Sequence, residues 1–279
     1  MYRRDISKTG TPFGDQTACP FDTADNTCYP SNEPLYPTGR IVLYTICMLY
    51  IVPTPIGNLQ DITLRALEII QTCDAVLCED TRRTQTLLSH FQIHKPLYRY
   101  NENDERSVET CLTHLKSGKK MALVSDCGTP CISDPGWKLV KRALENEIPV
   151  SPLPGPTAAA TALSAAGLTG GAFTFLGFLP RKSGKAAKLI TAAAALKHPV
   201  IVYESPYRVL KMLELIRQTL GEHTRVVAAR ELSKVYEEFI RGTVLEVHAQ
   251  LAARKKVQGE FVLIIDCFDE KENSNDSDF

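Results

Sequence analysis

The sequence predicts an α/β protein made of two α/β domains. Three observations carry that prediction. Short apolar segments alternate with amphipathic ones from residue 48 to residue 268, a glycine-rich break interrupts the alternation, and loops rich in Pro and Gly follow several of the apolar segments. Such alternation lays parallel strands side by side with the intervening helices on both faces.

Residues 49–52, 75–78, 96–100, 121–124 and 150–153 are apolar runs of strand length. Between and after them, 63–71, 83–90, 108–117, 137–146 and 157–166 read as helices. The break Gly167-Leu168-Thr169-Gly170-Gly171 reads as a hinge separating an N-terminal domain, 48–166, from a C-terminal domain, 167–268. Beyond it, 173–178, 200–203, 226–229, 238–241 and 261–265 read as strands, with helices over 185–196, 207–220 and 244–253. The gap between Ala229 and Glu238 is too short for a crossover helix, so the second sheet should contain antiparallel pairs.

The two ends differ from this pattern. Residues 1–47 are rich in Pro, Gly, Asp, Asn and Thr without any period, and are expected to form a disordered extension that contributes nothing to function. The apolar run 41–52 has no small-residue cleavage site, stops at Pro53 and is too short to cross a bilayer, so no membrane association is expected. Residues 269–279 form an acidic, polar tail, also expected to be disordered.

Lys plus Arg equals Asp plus Glu, at 32 each, which excludes bulk charge as a means of attracting nucleic acid. Any RNA contact must then come from a local basic surface. The nine cysteines include no C-x-x-C pair and no metal-ligand spacing, as expected of free thiols in a reducing cytoplasm without a metal site.

The most informative segment is Ser125-Asp126-Cys127-Gly128-Thr129-Pro130-Cys131-Ile132-Ser133-Asp134-Pro135-Gly136, directly after the strand 121–124. It offers bare backbone groups at a strand's C-terminal end, where open α/β sheets bind ligands. Two more loops, Pro53-Thr54-Pro55-Ile56-Gly57-Asn58 and Pro154-Gly155-Pro156-Thr157-Ala158, should reach the same sheet edge. None matches a dinucleotide fingerprint or a phosphate loop.

These loops, together with Glu79-Asp80-Thr81-Arg82, Phe175-Leu176-Gly177-Phe178-Leu179-Pro180-Arg181-Lys182, Tyr203-Glu204-Ser205-Pro206, Arg230-Glu231-Leu232 and Glu237-Glu238, closely resemble the ribosomal RNA small subunit methyltransferase I family. That family consists of cytidine 2'-O-methyltransferases within the tetrapyrrole methylase superfamily. The resemblance runs in order from about Leu49 to Asp266. It implies two α/β domains with S-adenosylmethionine in the cleft between them, a homodimer, and a cytidine at the decoding centre of small-subunit (16S) ribosomal RNA as substrate, presented either as naked RNA or in the assembled subunit. Aligned by motif, it places cofactor contacts at Pro55, Ile56, Gly57, Cys127, Gly128, Thr129, Ile132, Thr157 and Ala158. Tyr203, Glu204 and Leu232 should close the site from the second domain. Two alternatives are C-methylation of a tetrapyrrole ring and a non-catalytic RNA-binding module. The Glu79 to Arg82, Arg181-Lys182 and Tyr203 to Pro206 motifs match the RNA branch.

A ribose hydroxyl is a weak nucleophile that benefits from a base. The candidates are Glu79, Asp80, Glu102, Glu204 and Glu231, with Glu79, Asp80 and Arg82 favoured as the catalytic group because they follow a strand on the ligand edge. Asp80 also stands where an N-cap would be. Asp126 and Asp134 are assigned to shaping their loop through local Asx-type bonds. For RNA, Arg83, Arg181, Lys182, Lys185 and Arg208 are the phosphate-contact candidates, with Tyr98, Tyr100 and Tyr207 as stacking platforms.

Overall fold

A computed structural model describes residues 47–168 and 171–268. The expected extension, apart from Cys47, and the expected tail lie outside the described residues. No helix among the described residues is long and apolar enough to cross a membrane.

The first sheet contains β1 (Met48–Val52), β2 (Ala75–Cys78), β3 (Leu97–Arg99), β4 (Lys120–Val124) and β5 (Val150–Pro152). All are parallel, in the order β3-β2-β4-β1-β5. The inner strands β1, β2 and β4 read as apolar runs because both faces are covered. Leu49, Ile51, Leu77, Met121 and Leu123 point to one face, where α3 (Glu105–Lys116) and α4 (Trp137–Glu145) supply Leu112, Leu115 and Leu139. Val52, Val76, Cys78, Ala122 and Val124 point to the other, against Ala66, Ile69 and Ile70 of α1 (Leu64–Thr72) and Leu88 of α2 (Thr81–His90). Truncating one of the fully buried leucines, such as Leu112, should cost about 2–5 kcal/mol.

The second sheet comprises β6 (Thr174–Phe178), β7 (Val200–Glu204), β8 (Arg225–Arg230), β9 (Glu238–Thr243) and β10 (Phe261–Ile265), in the order β6-β7-β10-β8-β9. Only β6 and β7 pair in parallel; the other pairings are antiparallel, including the expected one between β8 and β9. Helices α6 (Ser183–Ala194), α7 (Val209–Leu220) and α8 (Val244–Ala252) cover one face with residues such as Ile190, Leu213 and Leu251. The opposite face carries Ile201, Val227, Ala229, Val262 and Ile264. It is covered by Ala159 and Ala162 of α5 (Ala158–Ser164), the helix that directly follows the first sheet, together with Ile56 and Leu232. Small alanine side chains let this helix lie close to the sheet, which brings the loops of the first sheet against the strand ends of the second.

Candidate functional site

Strands β4, β1 and β5 are adjacent and parallel, so the loops that leave them emerge at one edge. Hydrogen bonds then lock the loops together. The Thr54 amide donates to the Gly128 carbonyl at 2.8 Å, the Gly128 amide donates back at 3.1 Å, and the Thr54 hydroxyl donates to the Ser125 carbonyl at 3.0 Å. The Thr129 hydroxyl donates to the Pro156 carbonyl at 2.8 Å, joining the second loop to the third. Gly128 has φ +86°, a left-handed conformation that a side chain would strain.

Opposite these loops stand the ends of β7 and β10 and the turn after β8, and between the two walls lies a cleft of about 330 Å³. Ile56, Cys127, Gly128, Thr129, Ile132, Thr157, Ala158, Tyr203, Glu204 and Leu232 all line it, as the motif alignment expects. Pro55 and Gly57 are not among its lining residues. Gly57 instead packs on the second wall, where an added Cβ would lie 2.5 Å from Lys234 Cγ and 2.7 Å from the Leu232 carbonyl oxygen.

The second wall is braced by contacts of its own. The Tyr203 hydroxyl accepts the Ala159 amide at 3.0 Å, and its ring meets Phe175 and Phe178 edge to face, with centroids 4.9 and 5.6 Å away. Glu204 is 2% exposed. Its Oε1 accepts the Ser205 amide at 2.8 Å, whereas Oε2 has the Arg208 guanidinium at 3.3 Å without the alignment of a hydrogen bond. Burial raises the Glu204 pKa, and the Ser205 amide and Arg208 offset part of that rise. Arg208 also donates to the Leu179 carbonyl at 3.2 Å, so this RNA-contact candidate is built into the wall. Lys234 bridges Glu231 and Glu260, 2.9 Å from each.

The favoured catalytic group is placed elsewhere. Glu79, Asp80 and Arg82 do not line the cleft. Asp80 caps α2, accepting the Arg82 amide at 2.9 Å, and also holds the Arg82 side chain through Nε at 3.1 Å and Nη2 at 2.8 Å. Those Arg82 hydrogen bonds keep its carboxyl well below the usual carboxylate range, so it is a weak proton acceptor. Arg83 pairs with Asp126 at 3.6 Å.

The reading of Asp126 and Asp134 as local Asx caps is corrected by their contacts. Asp126 reaches across to another element, accepting the Asp80 amide at 3.3 Å. Asp134 lines the cleft and has no hydrogen bond or ion pair among the described residues. Burial, aided by the negative charges of Glu79, Asp126 and Glu260, pushes its carboxyl up to about 6. Tyr100 is a core residue rather than a stacking platform, and Tyr98 lies against His114 with centroids 4.4 Å apart. Tyr207 is 88% exposed but does not line the cleft.

Several lining residues are assigned no role from the sequence. Phe178 is 60% exposed at the end of β6 and faces the cleft, although the motif that contains it implies no cofactor contact there. Lys234 and Glu260 are assigned no contact in the site from the sequence, and the pairing of β10 between β7 and β8 brings them there. Arg181, Lys182 and Lys185 are exposed at the start of α6, outside the lining.

Residues 48–248 match the family model for tetrapyrrole (corrin/porphyrin) methylases. Ribosomal RNA small subunit methyltransferase I of Escherichia coli O157:H7 is 48% identical over 220 residues, covering 78% of this chain and 77% of that protein. The protein of the same name from Bacillus subtilis (strain 168) is 44% identical over 220 residues, covering 78% and 75%. Among solved structures, the cobalt precorrin-4 methyltransferase of cobalamin biosynthesis superposes with a TM-score of 0.61 at 18% identity, over 83% of this chain and all (100%) of that one. Thermus thermophilus uroporphyrin-III C-methyltransferase, complexed with S-adenyl homocysteine, gives a TM-score of 0.58 at 16% identity, over 79% and 98%. At such identities these two structures share the fold.

Proposed function

Since this chain belongs to the tetrapyrrole methylases and, within them, to the ribosomal RNA small subunit methyltransferase I family, we propose that it methylates the 2'-hydroxyl of a cytidine at the decoding centre of small-subunit ribosomal RNA, using S-adenosylmethionine. The observation that carries this reading is the cleft of about 330 Å³ between loops rich in free backbone groups and the strand ends of the second sheet. Its volume suits a small-molecule site. Bound there, S-adenosylmethionine supplies a methyl group already activated by a sulfonium centre.

The chain's own residues then have to bind, orient and exclude water. Ile56, Ile132 and Leu232 give the cleft apolar surface, and the buried Glu204 Oε2, ion-paired with Arg208 but not hydrogen-bonded, offers an acceptor position within it. The backbone around Gly128 is held rigid by its exchange with Thr54, so ligand-facing groups need not be ordered on binding. Arg181, Lys182 and Lys185 supply an exposed basic stretch suited to a phosphate backbone. Ring C-methylation is disfavoured, because the ring methylases named above match at 16–18% identity whereas the ribosomal RNA methyltransferases match at 44–48%.

The test is transfer of labelled methyl groups to small-subunit RNA from cells lacking the enzyme, offered both naked and as assembled subunits, followed by nucleoside analysis. Label in 2'-O-methylcytidine is expected. Label on a base, or on a porphyrin-type ring but not on RNA, would overturn the reading.

A further inference from the structure

We propose that Asp134 is the base that receives the ribose hydroxyl proton during methyl transfer, a role that rests on the reading of the cleft as an RNA methyltransferase site. The geometry reaches Asp134 by separating the cleft-lining carboxylates that have partners from the one that has none; Glu79 is exposed and lies outside the cleft. Asp80 is tied to Arg82, and Glu231 and Glu260 to Lys234. Glu204 holds the Ser205 amide and lies beside Arg208. Glu102 accepts the Gly136 amide outside the cleft. Asp134 alone among the lining carboxylates has neither a hydrogen bond nor an ion pair to a described residue, so its acceptor capacity is left for a ligand.

A second, independent observation marks the same cleft as a polar ligand site. Glu204, across from the Asp134 loop, is 2% exposed and carries an oxygen without a hydrogen-bond partner. Arg208 at 3.3 Å offsets its charge, and the hydrogen-bond position left open on that oxygen is one a ligand can fill.

The electrostatic setting suits a base near neutrality. Glu79 after β2, Asp126 in the same loop and Glu260 before β10 are all negative and favour the protonated form. Cys127, Cys131 and Tyr203 also interact with Asp134, and their own pKa values are raised, so they remain neutral around pH 7. Positive charge at this site is already engaged, Lys234 by Glu231 and Glu260 and Arg83 by Asp126. Asp134 is thus not held ionised by a cation of its own.

The step balances without a further reactant. The ribose oxygen forms its bond to the methyl carbon as the carbon–sulfur bond breaks and its electron pair stays on sulfur. The hydroxyl proton passes to the Asp134 carboxylate, and the carboxylic acid later returns it to solvent.

The test compares wild-type protein with Asp134→Asn and Asp134→Glu in single-turnover methyl transfer to small-subunit RNA across pH 5–9. It is paired with calorimetric binding of S-adenosylhomocysteine and carboxyl-carbon NMR of the wild-type protein. Asp134→Asn should slow transfer by about 10²–10⁴-fold, bind S-adenosylhomocysteine within about threefold of wild type, and abolish the acid limb of the rate profile. The NMR should show one aspartate titrating near 6, missing from Asp134→Asn. Transfer by Asp134→Asn within tenfold of wild type, with the acid limb intact, would overturn the role. So would an Asp134 carboxyl titrating near 4, a result that does not depend on how either variant folds. A wild-type protein unable to methylate the RNA would overturn the functional reading and this role together, whereas an active wild type with an unimpaired variant would remove the role alone.

Discussion

The Glu102 carboxylate accepts the Gly136 amide at 2.6 Å, so a residue outside the cleft fixes the end of the loop whose middle lines it. Gly136 is the N-cap of α4 and has no side chain with which to cap it. A Cβ there would lie 2.5 Å from Cys131 Sγ and 2.9 Å from Leu123 Cδ2, which excludes the usual Ser, Thr or Asp. Glu102 instead engages the amide of the N-cap residue itself from the segment after β3, and its charge suits a helix N-terminus.

Glu102→Ala should therefore destabilise the protein by about 1–3 kcal/mol, the cost of leaving a buried donor without a partner. It should also weaken cofactor binding, since Ile132 to Asp134 lie just before the freed end. Glu102→Gln keeps an acceptor oxygen and should recover most of the stability. Denaturant unfolding together with calorimetry would check both effects.

Gly57 provides a second test, of the contact between the two walls. Gly57→Ala puts a methyl group 2.7 Å from the Leu232 carbonyl oxygen, a backbone atom that cannot rotate away. The first loop must then separate from the turn holding Leu232 and Lys234. Cofactor affinity should fall by tenfold or more, about 1.4 kcal/mol, while the melting temperature falls only slightly. Calorimetry and a thermal melt would separate the two.

What could be read in advance follows from how each feature is encoded. Strands β1, β2 and β4 are covered on both faces, so their apolar runs stand out without any partner being known. The convergence of the loops containing Ile56, Gly128 and Thr157 also follows from parallel topology alone. The role of α5 does not, because Ala159 and Ala162 carry the same pattern whether the helix covers the first sheet or the second. Asp80 misled for a local reason: a Ser-Asp or Glu-Asp pair after a strand suits catalysis and N-capping equally, and only the Arg82 geometry separates them. Asp134 was hidden because the absence of a partner is a three-dimensional property.

The basic stretch at the start of α6 gives a kinetic prediction. Arg181 and Lys182 are exposed and lie outside the cleft lining, so they can steer a phosphate backbone without touching the reacting atoms. Arg181→Ala combined with Lys182→Ala should raise KM for RNA more than it lowers kcat, and should flatten the dependence of binding on salt. Steady-state kinetics at two salt concentrations would show it, and a loss confined to kcat would count against a positioning role.

Asp134 also predicts a trade between stability and activity that can be measured without any substrate. Its carboxyl is raised from the ordinary 3.8 to about 6 in the folded protein, so the folded state binds the proton more tightly than the unfolded chain. Well below pH 3.8 the group is protonated in both states and contributes no difference. As pH rises from there to about 6, the unfolded chain ionises first and the folded protein loses stability, and above that window the loss is constant. Asp134→Asn removes the charge, so at pH 7 it should be more stable than wild type by about 1–2 kcal/mol, allowing for solvent at the cleft mouth. At pH 4 most of the gain should be gone. Glu79→Gln, which removes one of the like charges, should lower the Asp134 pKa and recover part of the same gain. Urea unfolding of the three proteins at pH 4 and pH 7 checks the sign: equal stability for wild type and Asp134→Asn at pH 7 would mean that the Asp134 carboxyl is as well solvated in the cleft as in the unfolded chain.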